Sequence, residues 1–117
     1  MLEGVTFAIR DCRDALAATG TRLDKLIAVG GGSRSEYWLR AIATALDVPV
    51  LVPATGDFGG AFGAARLAMM AATGAGAEIA TQPPIAFEID PEPGLAAAFD
   101  AGYARFRAAR SAISTLD

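Results

Sequence analysis

An α/β fold is predicted for this sequence, and three features predict it. Two short apolar runs, at 26–29 and 48–52, have the length of strands. Stretches of helical periodicity stand before, between and after them. A run of glycines joins the first apolar run to the helix that follows. Short strands alternating with amphipathic helices form parallel neighbours covered by helices. Two strands are too few for a stable open sheet. The remaining strands are therefore expected elsewhere, in sequence not present or in a partner chain.

The elements follow in order. From Leu2 to Thr19, the residues Leu2, Val5, Ile9, Cys12 and Leu16 recur at three- and four-residue spacing. They mark the apolar face of a helix, with Arg10, Asp11, Arg13 and Asp14 on the other side. Gly20 is its expected terminator. No good N-cap precedes Leu2, so the chain is expected to begin inside a helix whose first turns are missing. Leu26, Ile27, Ala28 and Val29 read as a strand buried on both faces. Ser33 or Ser35 caps the next helix, and Glu36 falls in its first turn, where the helix dipole favours a carboxylate. Trp38, Leu39, Ile42 and Leu46 form its apolar stripe. The second strand is entered at Pro49 and left at Pro53. Thr55 or Asp57 caps a third helix over 59–73, closed by Gly74-Ala75-Gly76. Residues 78–93 form a connector holding Pro83, Pro84, Pro91 and Pro93, where Phe87 and Ile89 alternate as a brief extended segment. Leu95, Phe99, Tyr103, Phe106 and Ile113 mark a last amphipathic helix.

Composition excludes several functions. The chain has 117 residues, 53% of them hydrophobic and 20% charged, as in one globular domain or part of one. A net charge of −3 leaves no electrostatic footprint for nucleic acid. Arg105, Arg107 and Arg110 read as a solvated helix face. With no histidine and one cysteine, the chain builds no His–Cys metal cluster, no histidine-based triad and no internal disulfide. Cys12 is expected to be a buried, inert thiol, and Met69 and Met70 to fill the core. The longest apolar stretch, 61–72, is interrupted by Gly63 and Arg66 and falls short of the ~20 residues of a membrane span. Met1-Leu2-Glu3-Gly4 lacks the pattern of a secretory signal, so the cytoplasm is the expected location.

Val29-Gly30-Gly31-Gly32-Ser33-Arg34-Ser35-Glu36 carries the most chemistry. A glycine has no Cβ, so a flat ligand can lie directly on the main chain. The N–H groups that open a helix can meet a polar or anionic group, and the carboxyl end of a strand in an open α/β sheet is the usual ligand site. No lysine follows the glycines, which fails the Walker A pattern. Ser35 stands where the dinucleotide fingerprint has its third glycine, and the second strand ends without an acidic residue. A ligand cradle and a tight turn without a ligand both fit what is left. The stretch Gly56-Asp57-Phe58-Gly59-Gly60-Ala61-Phe62-Gly63 opens the third helix. Gly59 and Gly63, four apart, share one nearly bare face. That face suits an approach to the first glycine turn or to a nucleotide; it equally suits close helix–sheet packing. Asp57 reads as an N-cap before a holder of metal-bound water.

Together these segments resemble the C-terminal region of the FGGY carbohydrate kinases, especially the xylulose kinases. Gly30 to Ser35, followed by Glu36, Tyr37 and Trp38, is similar to the family's glycine turn and aromatic-bearing helix. Gly59-Gly60-Ala61-Phe62-Gly63-Ala64-Ala65-Arg66-Leu67-Ala68 is similar to its Gly-Ala-x-Gly-Ala-Ala-Arg-Leu-Ala helix. Leu2-Glu3-Gly4-Val5 and Tyr103-x-x-Phe106 resemble its flanking helices. The resemblance implies a portion of a ribonuclease-H-like, actin-like ATPase domain that binds ATP. Gly30, Gly31 and Gly32 would form the adenosine-contacting turn, with Ser33 and Glu36 near the adenine or ribose. It implies ATP with Mg2+ in a full-length kinase that phosphorylates a pentulose. The sugar pocket, phosphate loops and catalytic aspartate belong upstream in the family, so no catalytic residue and no metal ligand is assigned here. The isolated chain is expected to be inactive and to bind sugar only with a missing N-terminal domain.

Two other readings stand beside this one. The chain reads alternatively as a non-catalytic α/β module that self-associates, or as an unrelated nucleotide-binding domain. An apolar face of the last helix left uncovered by a missing domain would favour a homo-oligomer. Trp38 and Tyr37 are read first as core aromatics and second as stacking partners of adenine.

Overall fold

A computed structural model describes residues 1–54 and 59–114. Helix α1 spans Leu2–Ala18, strand β1 Leu26–Ile27, helix α2 Glu36–Leu46, strand β2 Val50–Pro53, helix α3 Gly60–Thr73, strand β3 Ile85–Ile89 and helix α4 Pro93–Ser114. Short 3-10 turns occupy Gly31–Arg34 and Ala77–Ile79. The order of helices and strands is the one the periodicity predicts. Thr55 and Asp57, the expected caps of α3, lie outside the described residues. No described helix is long and apolar enough to cross a membrane.

The sheet has the order β1-β2-β3. β1 runs parallel to β2, with Leu26 beside Val50, and Ala28 extends the pairing by donating its N–H to Leu51 O at 2.9 Å. β3 is the extended segment expected within the proline-rich connector. It pairs antiparallel with β2, Val50 against Ile89 and Val52 against Phe87. The third strand is thus supplied by this chain. β1 is shorter than predicted and is not buried on both faces: Ile27 is 38% and Val29 50% exposed.

Helix α2 covers the sheet. Leu39 and Ala43 pack on Val50 and Ile89, with Leu26, Ala28, Ile42 and Val52 around them. Its last turn forms a second cluster, in which Ala45, Leu46 and Val48 meet Ile9 of α1, Leu26 of β1 and Phe99 of α4. Ser35 caps α2, its Oγ accepting the Trp38 N–H at 3.4 Å. Thr44 Oγ1 donates to Arg40 O at 2.8 Å and accepts the Glu92 N–H at 3.1 Å, which ties the approach to α4 onto α2.

Helix α1 buries a different face from the one its leucines mark. Thr6 and Phe7 are buried, whereas Leu2, Val5 and Leu16 are exposed. Cys12 is exposed too, which corrects the expectation of a buried thiol. Phe7 accounts for the rotation. Its ring sits among Phe99, Tyr103 and Phe106 of α4, with centroids at 6.1, 6.1 and 5.9 Å. An aromatic ring buries more area than any residue of the Leu2–Leu16 stripe, and Gly102 leaves room for it: a Cβ there would lie 2.7 Å from Phe7 Cζ. α4 thereby turns Phe99, Tyr103 and Phe106 inward, while Leu95 and Ile113 stay 42% and 67% exposed.

Helix α3 has no buried residue among those described and packs chiefly on the 77–79 turn. Met69 is 52% exposed, so it is not core filler. The chain is elongated. The radius of gyration is 17.2 Å, against about 13 Å for a compact chain of this length.

Candidate functional site

The glycine turn sits where β1 ends. Gly30 has φ +84°, a left-handed conformation that side chains disfavour. The turn is closed by its own serine: Ser33 N–H and Oγ both donate to Gly30 O, at 3.1 and 2.6 Å. Ser33 Oγ therefore keeps only acceptor capacity for a ligand. Above Gly30 and Gly31 a Cβ would meet nothing within 4 Å, so their main chain lies open.

Gly32 is different. A Cβ there would fall 2.3 Å from Trp38 Cζ3. The benzo edge of the indole lies against Gly32, and its Nε1–H donates to Thr6 Oγ1 at 3.1 Å. Thr6 in turn donates to Leu2 O at 3.0 Å. Trp38 thus anchors the turn to α1 and is not free to stack on a base. Tyr37, 62% exposed, is not a core aromatic.

Beside the turn, at the carboxyl end of β2, a groove of about 460 Å³ is lined by Ser33, Arg34, Glu36, Leu39, Val52, Pro53 and Phe87. Leu39 is a buried floor residue. Glu36 is paired with Arg40, Oε1 to Nη2 2.7 Å, on the exposed rim. Of the residues singled out from sequence, Ser33 and Glu36 line this groove, Gly30 and Gly31 offer the open main chain beside it, and Gly32 is filled by Trp38. The second glycine stretch is not brought against the turn: Gly60 and Gly63 face open space, and neither the expected turn contact nor close helix–sheet packing forms among the described residues. Sequence reasoning missed Phe87 as a groove residue. The available signal was the alternation of Ile85, Phe87 and Ile89, which puts one large apolar side chain on the α2 side of the sheet beyond the cover of that helix.

A second cluster of ionisable groups joins α1 to α4. Tyr103, 7% exposed, has its hydroxyl 2.5 Å from Asp11 Oδ1 and 2.9 Å from Asp14 Oδ2. A phenol has one proton, so the two carboxylates compete for it. Arg110 pairs with Asp11, Arg13 with Asp14 at 3.0 Å, and Arg10 lies over the Tyr103 ring at 4.3 Å while pairing with Asp100 at 2.7 Å. The face expected to be solvated, Arg107 and Arg110 included, is partly turned to this contact. Burial, reinforced by the two aspartates, pushes the Tyr103 phenol well above its ordinary value. The Tyr103 hydrogen bond, opposed by burial and aided by Arg110, holds Asp11 below the usual carboxylate range.

The signs follow. A phenol that ionises later when folded contributes stability that is intact below about pH 10 and lost as pH rises beyond it. A depressed carboxylate contributes above its unfolded value near 4 and loses that contribution as pH falls further. Tyr103→Phe is expected to lower stability at neutral pH by about 1.5–3 kcal/mol, the range for a hydrogen bond to a charged group. It is also expected to flatten the alkaline limb of the stability profile. In a Tyr37→Phe background the phenolate absorbance reports Tyr103 alone. Ionisation of the folded protein near pH 10 would contradict this account.

Comparison with known proteins places the chain in a family. Residues 1–72 match the model of the FGGY family of carbohydrate kinases, C-terminal domain. A xylulose kinase of Escherichia coli is 42% identical over 72 residues, 62% of this chain and 15% of that protein. The crystal structure of a xyloylose kinase from Brucella ovis superposes with a TM-score of 0.89 at 56% identity, covering 99% of this chain and 24% of that one. A xylulose kinase from Rhodospirillum rubrum gives 0.78 at 27% identity over 98% of this chain and 24% of its own. The chain thus spans about a quarter or less of these relatives, and the α/β fold predicted from sequence is that of their matching portion. On a family match covering more than half its length, the chain belongs to the FGGY carbohydrate kinases, within their C-terminal domain.

Proposed function

We propose that this chain is the nucleotide-binding portion of a sugar kinase that transfers the γ-phosphoryl group of ATP to a pentulose such as xylulose. The observation that carries the reading is the groove at the carboxyl end of β2, joined through Ser33 to the glycine turn, where a Cβ on Gly30 or Gly31 would meet nothing within 4 Å. Such a site, at strand ends and beside bare backbone, suits the flat, partly apolar body of a nucleoside. The matching relatives from Escherichia coli and Klebsiella pneumoniae are xylulose kinases, which supports the acceptor class.

In this reading Gly30, Gly31 and Gly32 shape the bed of the nucleoside. Ser33 and Glu36 provide polar atoms at its edge. Among the described residues no group of three or more acidic or cysteine side chains gathers as a metal site, so magnesium is assigned to no side chain of this chain. The sugar contacts and the general base are likewise assigned to the part of the enzyme that the relatives have beyond this segment. The cytoplasm, where sugar phosphates are used, completes the reading.

Titration calorimetry of the purified chain with ATP or ADP is expected to show saturable 1:1 binding. A coupled assay with xylulose is expected to yield no sugar phosphate from the chain alone. Absence of nucleotide heats at saturating protein would sink the nucleotide-binding role, and turnover would sink the division of labour. Exposed Leu67, Met69 and Ile113 favour a second reading, a self-associating module without a ligand. Concentration-dependent sedimentation without nucleotide binding would select it.

A further inference from the structure

We infer that Phe87 is the stacking platform for the nucleobase, making the groove beside the glycine turn a base subsite. This inference rests on the nucleotide-binding reading above and goes beyond it by naming a residue outside both glycine motifs.

Phe87 is 52% exposed although it stands in the middle of a paired strand. It lies beside Val52, and Ile89, two residues on and hence on the same face of β3, is buried in the core with Leu39. The ring of Phe87 therefore belongs to the α2 side of the sheet. Helix α2 covers Ile89 but begins only at Glu36, and Phe87 lines the groove beside that first turn. The ring's exposed apolar face is available to a flat partner.

The groove's chemistry is that of a base site. Leu39, Val52 and Pro53 line it with apolar side chains, Phe87 adds an aromatic ring, and Ser33, Arg34 and Glu36 add polar groups. A purine presents an apolar face to a ring and a polar edge to a rim. At about 460 Å³ the groove falls in the usual range for small-molecule sites. The two aromatics of α2 do not fill this role: Trp38 is held beneath Gly32 by Thr6, and Tyr37 does not line the groove.

The test uses ADP as the probe and three substitutions at one position. Phe87→Ala and Phe87→Leu are each expected to weaken ADP binding about tenfold, within the range for loss of one base–aromatic stack. Phe87→Trp is expected to keep the affinity, with its added indole fluorescence quenched by ADP. Circular dichroism identifies variants that fold, and Phe87→Leu, which keeps the apolar bulk, decides the matter if the alanine variant does not. Wild-type affinity in Phe87→Leu overturns the inference and leaves nucleotide binding standing. Failure of the wild type to bind ADP overturns the nucleotide reading itself, and this subsite with it.

Discussion

Gly32→Ala is expected to dislodge Trp38, loosen the glycine turn and weaken nucleotide binding together. The new methyl would sit 2.3 Å from Cζ3, 3.0 Å from Cε3 and 3.3 Å from Cη2 of the indole. Such contacts do not occur between real atoms, so either the ring or the turn moves. The ring is held by its 3.1 Å bond to Thr6 Oγ1, and Thr6 is fully buried. Moving the indole leaves a polar group of the α1–α2 contact unpaired, which costs about 1–3 kcal/mol. Moving the turn instead shifts the main chain proposed to cradle the nucleoside. Overpacking by one methyl costs about 1–3 kcal/mol in either case. The expected result is a lower denaturation midpoint, a red-shifted Trp38 emission and ADP binding at least tenfold weaker, on the order of 1.4 kcal/mol.

Gly31→Ala separates the ligand role from the packing role. A Cβ at Gly31 meets nothing within 4 Å among the described residues, and its φ is not in the left-handed region. Stability and Trp38 emission should therefore stay at wild-type values. If the nucleoside lies on this main chain, the added methyl meets the ligand and ADP affinity falls. Calorimetry on the pair is decisive. Unchanged affinity in Gly31→Ala would mean that the open backbone is not the ligand's bed.

These contrasts show what was legible in the sequence. The order of helices and strands was readable because periodicity, Ser35 as a cap and Gly74 as a terminator act over a few residues. Gly74 ends α3 in the left-handed conformation, as its place in the sequence implies. The family was readable because two glycine motifs stand at a characteristic separation. The face of α1 was not. Four of the five stripe residues, Leu2, Val5, Cys12 and Leu16, advertise the wrong side, only Ile9 reaching the core, and what overrules them is a gap at Gly102, far along the chain, that admits Phe7. Leu2, Val5 and Cys12 are left outside because a helix turns all its residues together. The seat of Trp38 was illegible for the same reason, since Thr6 lies 32 residues away. The glycines themselves advertised a common property, absence of a side chain, which in space divides into two uses. Gly31 is open; Gly32 is occupied from within.

Leu46→Ala is expected to be the most destabilising of these changes, by about 2–5 kcal/mol. Leu46 is 1% exposed and is among the largest fully buried side chains. It sits in the last turn of α2, where Ile9 of α1, Leu26 of β1 and Phe99 of α4 converge with Ala45 and Val48. Its immediate buried neighbours are short, so little can move in to fill the cavity. A typical domain has only about 5–15 kcal/mol of stability, and an elongated chain with an exposed α3 buries less than a compact one. The loss should spread unevenly. Helices α1 and α4 meet the sheet layer through this cluster, so their amides should lose protection from hydrogen exchange. Helix α3, which has no buried residue to lose, should exchange as it does in the wild type. The glycine turn couples to the damage through Thr6 and Trp38, so ADP binding should partly restore the midpoint in proportion to ligand concentration. Equal loss of protection in α3 and α1 would show that this exposed helix is part of the same cooperative unit, contrary to its open packing. A shift well under 1 kcal/mol would show that the convergence at Leu46 does not hold the two layers together.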